Sequence, residues 1–191
     1  TVTGAYDHGT FGALERVGLH VAGPAGLPRE CFWRITAAQA ILASGAMERP
    51  IAFENNDRPG IMLASAARSY LNRFGVAPGR RVTVFANNDD ARQTARDLMA
   101  AGITVAAIID SRPDAQADEE CPVYLGAVVT GTKGRQGLRQ ISVRHAGGVM
   151  QIDTDCLAMS GGWNPTLHLT CHMNGRPVWN DAVSAFVPRE G

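Results

Sequence analysis

Four absences narrow the field before any motif is read. No apolar run approaches the roughly 20 residues that a helix needs to span a bilayer, so no membrane span is expected. Neither sign of charge is in excess: 18 basic and 18 acidic residues cancel, which removes the electrostatic footprint that nucleic acid or an anionic membrane calls for. Only four cysteines occur, Cys31, Cys121, Cys156 and Cys171, too few for a disulfide scaffold in a chain of this length, and a cytoplasmic protein is expected. The opening Thr1-Val2-Thr3-Gly4 has neither an initiator Met nor a signal-peptide core, and Phe186 to Gly191 ends as abruptly, so an excised piece of a longer chain is expected.

What is present is a globular composition, 45% hydrophobic and 19% charged, with 21 glycines and 10 prolines in 191 residues; this suits one large or two small domains. Thr1 to Tyr6 reads as a short strand, followed by a glycine-rich stretch from Gly4 to Gly12 and a loop carrying Gly23, Pro24, Gly26 and Pro28. Cys31 to Ile35 and Gln39 to Ala43 read as two further strands, and Met47 to Pro59 as loop. Apolar residues at Met62, Leu63, Ala66, Ala67, Tyr70, Leu71 and Phe74 predict an amphipathic helix from Ile61 to Phe74, stopped by Gly75. Val82 to Ala86 and Ile103 to Ile109 are short β-branched runs suited to buried parallel strands. Between them Ala91 to Ala101 predicts a helix stopped by Gly102. This strand-helix-strand unit has the length of a dinucleotide-binding half. After a linker from Pro113 to Glu120, Val123 to Thr130 reads as a parallel strand, Leu138 to His145 and Val149 to Asp153 as an antiparallel meander, and Cys156 to Met159 as one more buried strand.

The turn of a dinucleotide-binding half carries G-x-G-x-x-G, because glycines let the backbone approach a pyrophosphate at a helix N-terminus. Here it reads Asn87-Asn88-Asp89-Asp90-Ala91-Arg92, with no glycine and with two adjacent carboxylates that repel phosphate. It reads as a Rossmann-like half kept for packing, with Asn88 or Asp89 as helix N-cap; a rival reading makes Asp89 and Asp90 a site for a cationic group. Asp110 stands about 20 residues on, where such folds place a ribose-binding carboxylate, and reads as a solvated Asp beside Arg112. Two strands that each run into Ser-Gly are more informative: Ala43-Ser44-Gly45 and Ser160-Gly161-Gly162. Small residues there leave space above the carboxyl end of a sheet, where open α/β sheets bind ligands. They either offer backbone N–H groups to a cofactor or make tight strand-to-loop turns. Cys156, His168, Cys171 and His172 lack a zinc-ligand spacing, and Ser44 and Ser160 lack a G-x-S-x-G elbow, so neither a metal site nor a hydrolase triad is expected. Trp33, Trp163 and Trp179, with Phe186, read as core or interface anchors rather than base-stacking platforms.

The string Ile41-Leu42-Ala43-Ser44-Gly45-Ala46-Met47-Glu48-Arg49-Pro50, the runs from Asn55 to Ala66 and from Tyr70 to Arg81, the turn Asn87 to Asp90, and Ser160-Gly161-Gly162-Trp163-Asn164-Pro165 with Leu167-His168-Leu169 resemble the alpha-subunit family of heterotetrameric sarcosine oxidase over nearly the whole chain. The resemblance implies an α/β fold of the FAD/NAD(P)-binding, two-dinucleotide-domain type, with a Rossmann-like βαβ insert and an antiparallel meander, its first fingerprint strand lying upstream of Thr1. Residues 1–76 would be the remainder of the first dinucleotide-binding domain, 77–150 the inserted domain with the degenerate turn, and 151–191 the return strand and C-terminal segment of the first domain. The complete subunit would bind NAD, with Ser44, Gly45, Ser160, Gly161, Gly162, Pro165 and Leu167 near it. FAD and FMN would belong to the partner subunit or its interface. Beta, gamma and delta subunits would be its partners, and sarcosine would be oxidatively demethylated with its one-carbon unit passed to tetrahydrofolate. No catalytic group maps onto this chain, which is expected to be inactive alone. A non-catalytic subunit-interaction module of an opine or amino-acid oxidase complex is the alternative; an independent NAD(P)H reductase domain is disfavoured by the acidic turn.

Overall fold

The computed structural model describes residues 1–18, 26, 28–116, 120–172 and 174–189. Two compact units emerge: Thr1–Met47 with Asn164–Gly191, and Glu48–Trp163. Neither Gly23 and Pro24 of the expected first loop nor residues 117–119 of the expected linker fall among the described residues.

The first unit opens with an antiparallel sheet of β1 (Val2–Tyr6), β2 (Thr10–Arg16) and β3 (Glu30–Thr36), in that order. The glycine-rich stretch is therefore a hairpin, with Gly12 seated opposite Gly4. Gln39 to Ala43 forms no strand. Alternation needs a partner to become a ladder, and no described strand pairs with these residues; Ile41 is 95% exposed. A short strand, β4 (Ala46–Glu48), follows.

The second unit begins with β5 (Ile61–Leu63) and α1 (Ala64–Phe74). Helical periodicity reaches back to Met62, yet Ile61, Met62 and Leu63 are taken by parallel pairing with a distant strand, so the helix starts at Ala64. Leu63 supplies no side-chain cap; the buried Glu48 carboxylate accepts the Ser65 N–H at 2.8 Å instead. Gly75 ends the helix at φ 64°, with its own N–H bonded to Leu71 O and the Val76 N–H to Tyr70 O. A residue without Cβ holds that left-handed turn at least cost.

Then come β6 (Arg81–Ala86), α2 (Asp90–Ala100), β7 (Thr104–Asp110) and β8 (Val123–Leu125). The meander is β9 (Val128–Lys133), β10 (Gln140–His145) and β11 (Gly148–Asp153), and the chain returns through β12 (Cys156–Ser160). β6 and β7 pair in parallel across α2, as the sequence predicts. The sheet order is β5-β12-β6-β7-β8, all parallel. The run from Val123 to Thr130 is not one parallel strand. It breaks at Gly126, held at φ 60°, so that β8 pairs with β7 and β9 turns away to pair antiparallel with β10.

Strand residues alternate between two cores, as the pleat requires. Val82, Val84, Ile108, Cys156 and Ala158 pack on Ala64, Ala67, Ala91, Ala95 and Leu98 of the helices. Phe85, Ala107, Ile109, Leu157 and Met159 face the meander through Val129, Leu138, Ile141 and Val143. β12 thus lies inside the sheet between β5 and β6, buried along its whole length. Strands from residues 1–76, 77–150 and 151–191 all share this one sheet.

The remaining part of the first unit comprises α3 (His168–His172) and a hairpin of β14 (Val178–Asn180) with β15 (Ala185–Val187), reached through β13 (Trp163–Pro165), which pairs with β4. Trp179 and Phe186 meet edge to face across that hairpin at 5.3 Å. Trp33 and Trp179 are each about half exposed, so neither anchors the core of its unit. No described helix is long and apolar enough to cross a membrane.

Candidate functional site

In the second unit, Ser160 closes β12 and is fully buried. Its hydroxyl and its carbonyl both accept from the Asn88 side-chain amide, at 3.0 and 3.1 Å, and the carbonyl also accepts the Asn87 N–H at 3.3 Å. Gly161 donates its N–H to Arg49 O at 2.7 Å, and Arg49 N–H donates to Gly162 O at 2.8 Å. A Cβ on Gly161 would stand 3.0 Å from the carbonyl oxygens of both Arg49 and Pro50. The smallness of Gly161 is thus required by the chain itself, and its N–H is already committed. Ser160 and Gly161 are thus tied into the end of the strand by the chain's own hydrogen bonds.

In the first unit, Ser44 donates its hydroxyl to Thr166 O at 2.7 Å, and Thr166 N–H donates to Gly45 O at 2.9 Å. The expected residues Pro165 and Leu167 flank Thr166, so this set of four converges. Gly45 sits at φ 71°, and a Cβ built there would meet nothing within 4 Å. The space beside it is open. Pro165 and Leu167 also line a cavity of about 450 Å³ with Met47, His168, Cys171 and Phe186.

The turn before α2 uses both asparagines and leaves its carboxylates to arginines. Asn88 Oδ1 accepts the Ala91 N–H at 3.3 Å, so Asn88 rather than Asp89 supplies the side-chain bond at the start of α2. Asp89 accepts from Arg112 at 2.5 Å. Asp90 lies 3.8 Å from Arg68. The two carboxylates thus have cationic partners within the chain, which weakens the rival reading of a site for an external cation.

Asp110 is not a solvated carboxylate; its exposure is 0%. Arg112 holds it through Nε at 3.1 Å, Nη2 at 2.9 Å and its backbone N–H at 3.0 Å, and Arg92 Nη2 adds a fourth bond at 3.2 Å. Burial pushes the Asp110 carboxyl up, but the hydrogen bonds and charge of Arg112, with the bond from Arg92, outweigh it and hold the group below the ordinary carboxylate range. The same bonds to Asp110 and Asp89 raise Arg112 further into its charged form. Arg112 is legible beside Asp110 in the sequence. Arg92 is the residue that sequence reasoning missed; its only local signal is its place three residues after Asp89.

No protein-family model matches the chain. It is 50% identical over 190 residues to the sarcosine oxidase subunit alpha of Rhizobium meliloti (strain 1021), covering 98% of this chain and 19% of that protein. To the sarcosine oxidase subunit alpha of Corynebacterium sp. (strain P-1) it is 42% identical, covering 98% of this chain and 21% of that protein. The chain therefore spans about a fifth of the length of these curated relatives. Among solved structures, L-proline dehydrogenase from P. horikoshii matches with a TM-score of 0.70 at 19% identity, over 100% of this chain and 32% of that one. Thioredoxin reductase from T. acidophilum matches with a TM-score of 0.62 at 14% identity, over 88% and 54%. An NAD-dependent persulfide reductase from A. fulgidus gives 0.63 at 12% identity, over 95% and 34%. The parallel sheet with its helices and meander is thus the α/β fold of FAD/NAD(P)-binding oxidoreductases.

Proposed function

We propose that this chain is a segment of the alpha subunit of a sarcosine oxidase, and that it contributes an NAD-binding wall and a scaffold to a cytoplasmic flavin-dependent complex. The observation that carries the reading is 50% identity sustained over 98% of the chain to a sarcosine oxidase alpha subunit. In the complete assembly, sarcosine would be oxidatively demethylated, with transfer of the one-carbon unit to tetrahydrofolate, and beta, gamma and delta subunits would complete the enzyme.

The cofactor assignment is tested first by the residues. Gly45, with open space where a Cβ would stand and a positive φ, fits close approach of a bound dinucleotide, and Ser44, Pro165 and Leu167 sit with it around Thr166. Ser160, Gly161 and Gly162 fit less directly. The Ser160 hydroxyl and the Gly161 N–H are already bonded within the chain, so in this reading they shape the strand end rather than donate to NAD. FAD and FMN supply the redox chemistry from the partner subunit or its interface, and this chain's own residues bind and position. No acid, base or nucleophile of the oxidation is assigned to it.

The test is purification of the full-length subunit with its partners, release of bound nucleotide by denaturation, and assay of sarcosine-dependent oxygen uptake. Stoichiometric NAD together with turnover supports the reading. An assembled complex that turns over sarcosine without NAD retires the NAD-binding role. A second reading, a non-catalytic interaction module of an opine or amino-acid oxidase complex, is favoured by the apolar side chains that the first unit leaves exposed, Phe32 at 65% and Trp33 at 53% among them. Activity with an opine or another amino acid, and none with sarcosine, would put it in front.

A further inference from the structure

The end of α2 that would meet a pyrophosphate in a nucleotide-binding half carries a cleft of about 380 Å³. Among the described residues its charged lining is Arg92, Arg96 and Arg112 against Asp89 and Asp114. The Arg92 side chain is 5% exposed. Its Nη2 meets Asp110, while its Nε and Nη1 are buried without a hydrogen-bond partner. Buried N–H donors on a cation are rarely left unmet, and an oxyanion is the group that satisfies them best. Among the described residues, the lining carboxylate that reaches both arginines is Asp89. Its side chain is 78% exposed, it is held by Arg112 Nη2 at 2.5 Å, and it stands 3.8 Å from Arg92 Nε, beyond hydrogen-bond reach.

We propose that Arg92 and Arg112, at the N-terminal end of α2, form a binding site for a diphosphate-type anion that Asp89 keeps closed as a tethered competitor. Asp110 is not part of the competition. It is fully buried behind the arginines and fixes their planes. Asp89 reaches the site from solvent, and ion pairs that exposed contribute little to stability, so the carboxylate can be removed without dismantling the fold. Removing it raises the net charge of the described lining by one unit and frees the Nη2 N–H of Arg112 that Asp89 holds. This inference is independent of whether NAD binds beside Gly45.

The experiment is calorimetric titration of the full-length subunit with inorganic pyrophosphate, comparing wild type with Asp89→Asn and Asp89→Ser, each checked for an unchanged melting temperature. Binding at least tenfold tighter in both variants than in wild type is expected, and Arg112→Gln added to Asp89→Asn should return the affinity to the wild-type level. Affinity equal to wild type in folded Asp89 variants overturns the proposal. A gain that survives Arg112→Gln also overturns it, because the anion is then bound elsewhere.

Discussion

At the scale of single residues, the decisive feature is a carboxylate that the sequence places but does not surround. Its position at the end of an apolar strand and its neighbour Arg112 are both local, so they are legible. Its burial depends on Arg92, brought in by a helix and confirmed only by the fold. Asp110→Asn leaves the Arg92 charge buried without its counter-ion and should cost about 3 kcal/mol, read as a shift in the denaturation midpoint of the full-length subunit; a cost within error of zero would show that solvent screens the network. The pH dependence follows from the lowered carboxyl. A depressed folded value means a contribution fully present above the unfolded value of about 4 and lost as pH falls through the folded value, so the acid limb of the melting curve should flatten in Asp110→Asn. Cys156 runs the other way. Burial, then the nearby Asp155 charge, push its thiol up from 9.0 to about 12. Stability tied to it is complete below 9.0 and drains as pH rises towards 12. A disulfide-exchange reagent at pH 8 should modify the exposed Cys171 and spare Cys156 until the protein unfolds.

At the scale of elements, period and punctuation carry most of the information. Gly75 and Gly102 stop their helices where they stand in the sequence, because each takes a left-handed φ. What periodicity cannot report is the partner. Ile61 to Leu63 reads as the first turn of a helix until β12 claims it, and Gln39 to Ala43 reads as a strand although nothing described pairs with it. Val123 to Thr130 hides a change of sheet at Gly126, since a buried parallel strand and a meander strand draw on the same residue types. Two glycines separate conformational cost from steric cost. Gly75→Ala meets nothing within 4 Å but must hold φ 64°, and should cost about 1 kcal/mol, with Asn costing less. Gly79→Ala would place a Cβ 2.5 Å from an Asp155 oxygen and 2.7 Å from Cys156 Cβ. That oxygen accepts the Arg81 N–H at 2.9 Å, and its twin accepts the Arg80 N–H at 3.0 Å. Denaturant titrations of the two variants should rank Gly79→Ala as the more damaging, and the reverse order would mean that the 79–81 turn yields freely.

At the scale of the whole molecule, the two units differ in how completely their apolar surface is covered. The second unit buries both faces of its sheet. In the first, β3 exposes Phe32 on one side and Trp33 and Ile35 on the other. On the proposed reading, in which the chain spans about a fifth of an alpha subunit, the remainder of that subunit is the expected cover. Hydrogen exchange of the amides from Glu30 to Thr36 should be slower in the full-length subunit than in the 191-residue chain, and equal rates would refute that cover. The Ser-Gly echo drew attention to both strand ends from sequence alone. It could not distinguish Gly45, which has room beside it, from Gly161, which has none, because that difference lies in residues 49 and 50 crossing over Gly161. The position of β12 has a consequence for biosynthesis. A ribosome releases β5, β6, β7 and β8 well before β12, yet β12 is the strand that joins β5 to β6. During translation the nascent sheet therefore carries an unzipped seam at its middle, with β6 bare along one edge and β5 lacking the strand that pairs it into the sheet. Such edges recruit stray strands. The interval between emergence of Ala86 and emergence of Ser160 is when this polypeptide most needs a chaperone, and slowing elongation within it should lower soluble yield more than slowing it after Ser160.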